Sequence, residues 1–256
     1  MNFMSFFNII KLDAISSTND YLKVMRRSKK TKDMDLVWAI KQTSGRGQRE
    51  NKWFSESHNS LTISIYKNFK DSSIFYPFLI SVIISISIVK CLEKLNVPNV
   101  FIKWPNDILS CNKKIGGVLI ENFFSNGKLV DSIIGIGLNI NQESFKNLHN
   151  ASSLKIETGE NWDIQYILEN LLVYINKGFK DLEDIDEKKL IDLYQIKLWK
   201  FKKKAVFYSK NSNFEAKIFK VNLNGELVLK IKGKEMTCDN REIKMLYDNI
   251  PNSTSN

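Results

Sequence analysis

The pattern of apolar residues changes character at Trp199. Before that point, segments of strand and helix character are interleaved. Beyond it come only short alternating runs: AVFYS, FEAKIFKV, ELVLKI, EMTC and EIKMLY. Turns at Asn211-Ser212-Asn213, Asn224-Gly225 and Asp239-Asn240 separate them. Short strands at such close spacing predict a small β-barrel. The charge run Lys202-Lys203-Lys204 sets it off from a larger unit. A chain of 256 residues accommodates one large domain with such an appendage. The expected division is 1–199, 200–248 and a polar, disordered tail at 249–256.

Within the larger unit, Phe7 to Ile15, Asp35 to Lys41, Ser60 to Tyr66 and Val100 to Trp104 read as strands. Lys113 to Phe124 and Leu129 to Ile140 form a strand pair around Ser125-Asn126-Gly127. Ser16-Ser17-Thr18-Asn19-Asp20 ahead of YLKVMRRSKK marks a helix start, with oxygen-bearing caps in front and basic residues behind. Asp163 to Phe179 and Asp186 to Trp199 have the period of amphipathic helices. Tyr76 to Leu95 is apolar throughout, and its length predicts a helix rather than a strand. Its most apolar part, Phe75 to Val89, is shorter than the roughly 18–20 residues of a membrane span.

The net charge of +10 invites a nucleic-acid reading, but only five of the 38 basic residues are arginine. Diffuse lysine lacks the planar fork that reads bases and phosphates. DNA or RNA is therefore not the expected main partner; an acidic protein or an anionic small molecule suits the charge. Cys91, Cys111 and Cys238 are odd in number and form no CxxC pair. That argues against a disulfide framework and a structural zinc site, and fits a reducing cytoplasm. The start, MNFMSFFNIIKLD, has no positive charge before its apolar run and does not read as a signal peptide.

Six of the eleven glycines fall in three pairs, Gly45/Gly47, Gly116/Gly117 and Gly135/Gly137. Such clustering implies that backbone must come close to something. Around the first pair, Gln42-Thr43-Ser44-Gly45-Arg46-Gly47-Gln48-Arg49 holds two of the five arginines in a loop without an apolar residue. Inward N–H groups and guanidinium forks there suit phosphate. The second pair follows Lys103-Trp104-Pro105-Asn106-Asp107 and Lys113-Lys114. The third sits in GIGLNI, where Asn139 offers one donor and one acceptor to an adenine edge. Taken singly, each has a plainer reading: a solvated loop, turn chemistry with hairpin-tip charge, and a strand-end bulge.

In this order and spacing the motifs strongly resemble the biotin protein ligase family. They are SSTND at 16–20, QTSGRGQRENKWFS at 42–55, KWPND at 103–107, KKIGGVLIE at 113–121, GIGLNIN at 135–141 and NASSLKIETG at 150–159. The resemblance implies an α+β fold: a mixed-sheet biotin/lipoate ligase-like catalytic domain with a small C-terminal SH3-like β-barrel. It implies activation of biotin by ATP and transfer to a lysine of a biotin carboxyl carrier protein. Biotin and ATP are then substrates, Mg²⁺ is expected alongside, and a homodimer is an expectation. Carried over by motif, Ser17, Thr18 and Asn19 would hold biotin's ureido end. Gln42 would line its pocket, and Arg46, Gly47 and Gln48 would cover biotin and its adenylate. Arg46, Arg49, Trp53, Asn106 and Asn139 would serve the nucleotide. Lys114 and Arg46 would lie on the reacting anions, and Asp107 would orient or deprotonate the acceptor amine.

Two departures stand out. Glu50 replaces a glycine usual in the family's loop, and a charge of that sign is expected to point away from an anion site. About fifteen residues precede SSTND, too few for the helix-turn-helix that some members carry, so a DNA-binding role is not expected. Two rivals stay open. A lipoate ligase or octanoyl transferase shares the scaffold. A nucleotide- or RNA-binding protein would use Phe207, Tyr208, Phe214 and Phe219 of the barrel.

Overall fold

The structure, a computed structural model, describes residues 6–49, 51–69, 76–146, 148–184 and 186–247. Glu50 and the expected tail at 249–256 lie outside them. A seven-stranded sheet is built from β1 (Asn8–Ile15), β2 (Asp35–Gln42), β3 (Ser60–Asn68), β4 (Val100–Lys103), β5 (Asp107–Ser110), β6 (Lys113–Ser125) and β7 (Lys128–Asn139). Its order is β1-β2-β3-β7-β6-β5-β4. The first pair is parallel and the rest are antiparallel. The sheet is therefore mixed. The strand β5 was not foreseen, because its four residues directly follow the Pro-Asn-Asp turn and carry no period of their own.

Each face takes its own helices. α1 (Thr18–Arg27) crosses one face, and α2 (Phe78–Lys94), α4 (Ile164–Asp184) and α5 (Glu187–Ile196) cover the other, with α3 (Leu154–Thr158) a short turn between β7 and α4. α2 is apolar on every side because it lies between the sheet and α4. Full burial overrides the poor helix propensity of its isoleucines. Gly178 of α4 lets the two helices close up: a Cβ there would stand 2.6 Å from Ser87 Oγ.

α1 starts where the sequence indicates. Ser17 is extended and its hydroxyl accepts from Asp20 N at 3.3 Å. Leu22 then packs on Val37, Tyr66 and Ile133. At the other end Arg26 grips Asp131 of β7 with two guanidinium nitrogens, the Nη2–Oδ2 contact being 3.1 Å, and lies over the Phe123 ring at 3.8 Å. Asp131 is buried. Removing one partner of a buried pair strands the other charge, so Arg26→Ala should destabilise the fold by about 3 kcal/mol. Adding Asp131→Asn to that variant should restore part of the loss in denaturant unfolding.

The C-terminal unit is a five-stranded antiparallel sheet of β8 (Lys204–Ser209), β9 (Ser212–Val221), β10 (Leu227–Ile231), β11 (Lys234–Cys238) and β12 (Lys244–Met245). Its order is β11-β10-β9-β8-β12, so the two outer strands share no ladder and the sheet stays open. Phe207 and Phe214 stack on each other with centroids 5.7 Å apart, and Phe207 is fully buried. Those two rings belong to the core and not to a base-stacking platform. Among the described residues no helix is long and apolar enough to cross a membrane.

Candidate active site

Strand alternation places Gly117, Gly135 and Gly137 on one face and Gly116 on the other. On β7, Gly135, Gly137 and Asn139 share the face of Ile133, which looks toward α1. Ser64, Thr62 and Ser60 of β3 stand opposite Gly135, Gly137 and Asn139. Gly117 and Leu119 of β6 stand opposite Gly137 and Gly135 on the other side. Three adjacent positions on this face therefore carry no side chain, and a trough runs across the sheet beneath the N-terminus of α1.

Three side chains lie over that glycine floor. A Cβ on Gly135 would stand 2.4 Å from Asn19 Oδ1, and one on Gly137 would stand 2.4 Å from the Trp53 indole. A Cβ on Gly117 would meet Lys114 Nζ at an ordinary 3.6 Å. Lys114 Nζ is 5.8 Å from the Trp53 ring.

One end of the trough is a chain of polar contacts. Gln42 Oε1 accepts from Thr18 N at 2.8 Å and from Thr18 Oγ1 at 3.1 Å. Ser64 Oγ lies 2.6 Å from Thr18 Oγ1 and 2.5 Å from Asn19 Oδ1. Asn19 Nδ2 donates to Glu121 Oε2 at 2.9 Å. Ser17, Thr18, Asn19 and Ser64 are all buried. At the rim, Arg46 Nη1 contacts Asp20 at 2.7 Å and Glu121 at 3.3 Å, and Lys23 contacts the same two carboxylates at 3.1 and 2.6 Å. Burial alone would raise the Asp20 pKa; Lys23 and Arg46 outweigh it and hold the carboxyl below its usual range.

The other end is cationic. Lys114 Nζ sits 2.6 Å from Asp107 Oδ1, and Lys103 Nζ 3.8 Å from Asp107 Oδ2. The ladder between β5 and β6 slips between Ile108 and Leu109, which face Gly116 and Lys114, so Ile115 is an extra residue. Such a bulge re-aims the side chain beside it. The backbone of Lys114 is pinned from both sides, by Asn150 O at 2.7 Å and Ser152 N at 2.8 Å. Lys113 points away, its Nζ 3.0 Å from His149 O. Lys103 is buried; desolvation lowers its pKa, with Lys114 and Lys244 adding to the effect and Asp107 opposing it.

The structure thus gathers Ser17, Thr18, Asn19, Gln42, Arg46, Trp53, Asp107, Lys114 and Asn139 around one trough. Others fall differently. Arg49 turns its guanidinium to the Asn240 carbonyl of the C-terminal unit. Asn106 spends its amide on Val118 O at 2.8 Å and pegs the turn to β6. Gly47 N donates to Asn51 O at 2.7 Å and Gln48 O accepts from Asn51 N at 3.2 Å. Asn139 gives its amide nitrogen to Ser152 O at 2.9 Å, so its free group is the buried acceptor Oδ1. Trp53 Nε1 is likewise buried without a partner. Ser64, Glu121 and Lys103 escaped assignment from sequence. The alternation of SLTISIY does put Thr62 and Ser64 on one face, a signal of a polar patch inside.

Comparison with known proteins shows the family of this chain. The sequence model of the Biotin/lipoate A/B protein ligase family fits residues 12–139. The chain belongs to this family. Relatives include the bifunctional ligase/repressor BirA of Salmonella typhimurium, 34% identical over 52% of this chain and 41% of that protein. BirA of Bacillus spizizenii is 30% identical over 68% of this chain and 54% of its own length. The chain thus spans about half the length of the curated relatives it matches. Among solved structures, the biotin protein ligase of Aquifex aeolicus in complex with biotin and ATP superposes with a TM-score of 0.79 at 25% identity. That alignment covers 94% of this chain and 99% of the other. The family's mixed sheet and C-terminal β unit therefore extend over nearly the whole of this chain.

Proposed function

We propose that this ligase-family chain activates biotin with ATP as biotinyl-5'-AMP and passes biotin to a lysine of a biotin carboxyl carrier protein, releasing AMP and pyrophosphate. The observation that carries this reading is the polar chain Gln42–Thr18–Ser64–Asn19 buried at one end of a glycine-floored trough whose other end is cationic. A cyclic urea has one acceptor and two donors to trade for those contacts, and a carboxylate tail would run past Asn19 and Trp53, which cover Gly135 and Gly137, toward Lys114. A lipoyl or octanoyl chain brings no such group to trade and would gain nothing from this polar end.

Two anions, carboxylate and α-phosphate, must meet for the first step. Lys114 supplies positive charge where that repulsion grows; Arg46 stands at the polar end and would have to leave Asp20 and Glu121 to add to it. The carboxylate oxygen forms a bond to the α-phosphorus as the bond to pyrophosphate breaks. The acceptor Asn139 Oδ1 and donor Trp53 Nε1 are buried without partners, and in this reading they are left for the nucleotide. Among the described residues no three His, Cys, Asp or Glu side chains converge into a metal site. Mg²⁺, carried on the ATP phosphates, would offset their charge during the first step.

The test is ATP–pyrophosphate exchange with biotin, lipoate and octanoate in parallel. A site built to hydrogen-bond a polar group rejects analogues lacking it by on the order of 10⁴, so exchange should depend on biotin. Exchange driven equally well by lipoate or octanoate would make the chain a different member of its family.

A further inference from the structure

The last described residue of the C-terminal unit reaches into this site. Tyr247, two residues beyond β12, donates its hydroxyl to Asp107 Oδ2 at 3.4 Å across 140 positions of sequence. Its ring packs on Trp199 with centroids 5.9 Å apart, and the Lys103 ammonium stands 4.6 Å from the ring centre. The frame behind it is stiff. Trp199 N donates to Ile102 O at 2.8 Å and Trp199 Nε1 to Asn112 Oδ1 at 2.8 Å, while Leu246 N holds Val206 O at 2.9 Å.

We propose that Tyr247 is a positioning residue that aims Asp107 at the incoming lysine, making the C-terminal unit part of the transfer step. The inference rests on the biotin ligase reading. Asp107 has two oxygens with different neighbours. Oδ1 faces Lys114 at 2.6 Å, and Oδ2 faces Tyr247 and Lys103. Once Lys114 turns to the adenylate, Oδ1 is open toward the trough. Tyr247, with Lys103 beside it, keeps Oδ2 in place, so the carboxylate cannot rotate away when Lys114 leaves Oδ1. The hydroxyl is a dependable donor, because burial and the Asp107 charge push the phenol's pKa far above its usual range.

In transfer, the acceptor lysine's neutral amine forms the amide bond to biotin's carbonyl carbon. The bond from that carbon to the AMP oxygen breaks, its electron pair leaves with AMP, and the amine proton passes to solvent. Asp107 holds an N–H of the amine while this happens. A carboxylate free to rotate does so in a smaller fraction of encounters. Pyrophosphate exchange precedes the amine and does not use that alignment.

Tyr247→Phe keeps the ring and removes only the hydroxyl. Two rates are measured on the full chain: biotin-dependent pyrophosphate exchange, and single-turnover transfer from preformed biotinyl adenylate to a biotin carboxyl carrier domain. The ratio of transfer to exchange should fall about tenfold, the scale of a hydrogen bond to a charged group. The fall should lie in the maximal transfer rate, with the half-saturating carrier concentration unchanged. In an Asp107→Asn background the same substitution should add little, because the two act as one unit. Tyr208→Phe, exposed on the same sheet, is the control. An unchanged ratio, or equal loss in both steps, overturns the positioning role. A native chain that exchanges with lipoate and not biotin overturns the biotin reading itself, and this inference with it.

Discussion

Lys114→Ala is expected to lower biotin-dependent pyrophosphate exchange by about 10²–10³-fold, the usual cost of one electrostatic contact made at the transition state. The ammonium is delivered by a bulge, its backbone is tied to Asn150 and Ser152, and its stem lies over Gly117. Its backbone is therefore preset, and only the ammonium must swing from Asp107 Oδ1, 2.6 Å away, to meet developing charge. Carboxylate and phosphate repel most strongly as they close, so the loss should appear in rate rather than in affinity. Biotin affinity, measured by titration calorimetry, should change by only a few fold, because the polar chain at the far end is untouched. Lys113→Ala should be mild, since that side chain ends on the His149 carbonyl outside the trough. Equal, modest losses in both variants would reduce the pair to surface charge on a hairpin.

Gly135→Ala is expected to weaken biotin binding by about 10- to 100-fold, the equivalent of 1–3 kcal/mol of overpacking. Its new methyl would fall 2.4 Å from Asn19 Oδ1, and that amide is held by Ser64 and Glu121, so it cannot step aside without breaking the polar chain. Gly137→Ala should act on the other substrate. Its methyl would lie 2.4 Å from the Trp53 indole, and ATP affinity should fall by a comparable factor. Gly117→Ala is the internal control, because its methyl would meet Lys114 and Asn106 O at 3.6 and 3.7 Å. Titration of each variant with biotin and with ATP separates the three. A uniform response would mean that the glycines serve strand packing and not a ligand surface.

These outcomes depend on features that differ in how far they can be read without coordinates. Helix α1 was legible because its information is local: a capping serine, a polar first turn, basic residues in the last. So were β6, β7 and their turn, where alternation and Asn-Gly lie within a few residues of each other. α2 was legible from length, although its isoleucines favour a strand. The second sheet was foreseen as a barrel, because spacing reveals how many strands there are and not whether the outer two pair. Asn106 and Arg49 show the same limit from the other side. Their types suit a nucleotide, yet one is spent on Val118 O and the other on Asn240 O, partners fixed by packing.

What the sequence by itself determined was the inventory: three glycine pairs, a cationic loop, a capped helix start and a KWPND turn, enough to indicate a family and a site. Those follow from chemistry carried within a few residues. What only the tertiary structure decided was which groups meet. Ser64 joined Thr18 and Asn19 through strand register. Glu121 joined Arg46 and Lys23 because β6 lies beside β7, one of the strands α1 crosses. Tyr247 joined Asp107 across 140 residues. The physical reason is that a side chain's type sets what it can bond, while its partner is set by the summed burial of two sheets and the helices that cover the larger one, and no local stretch of sequence contains that sum.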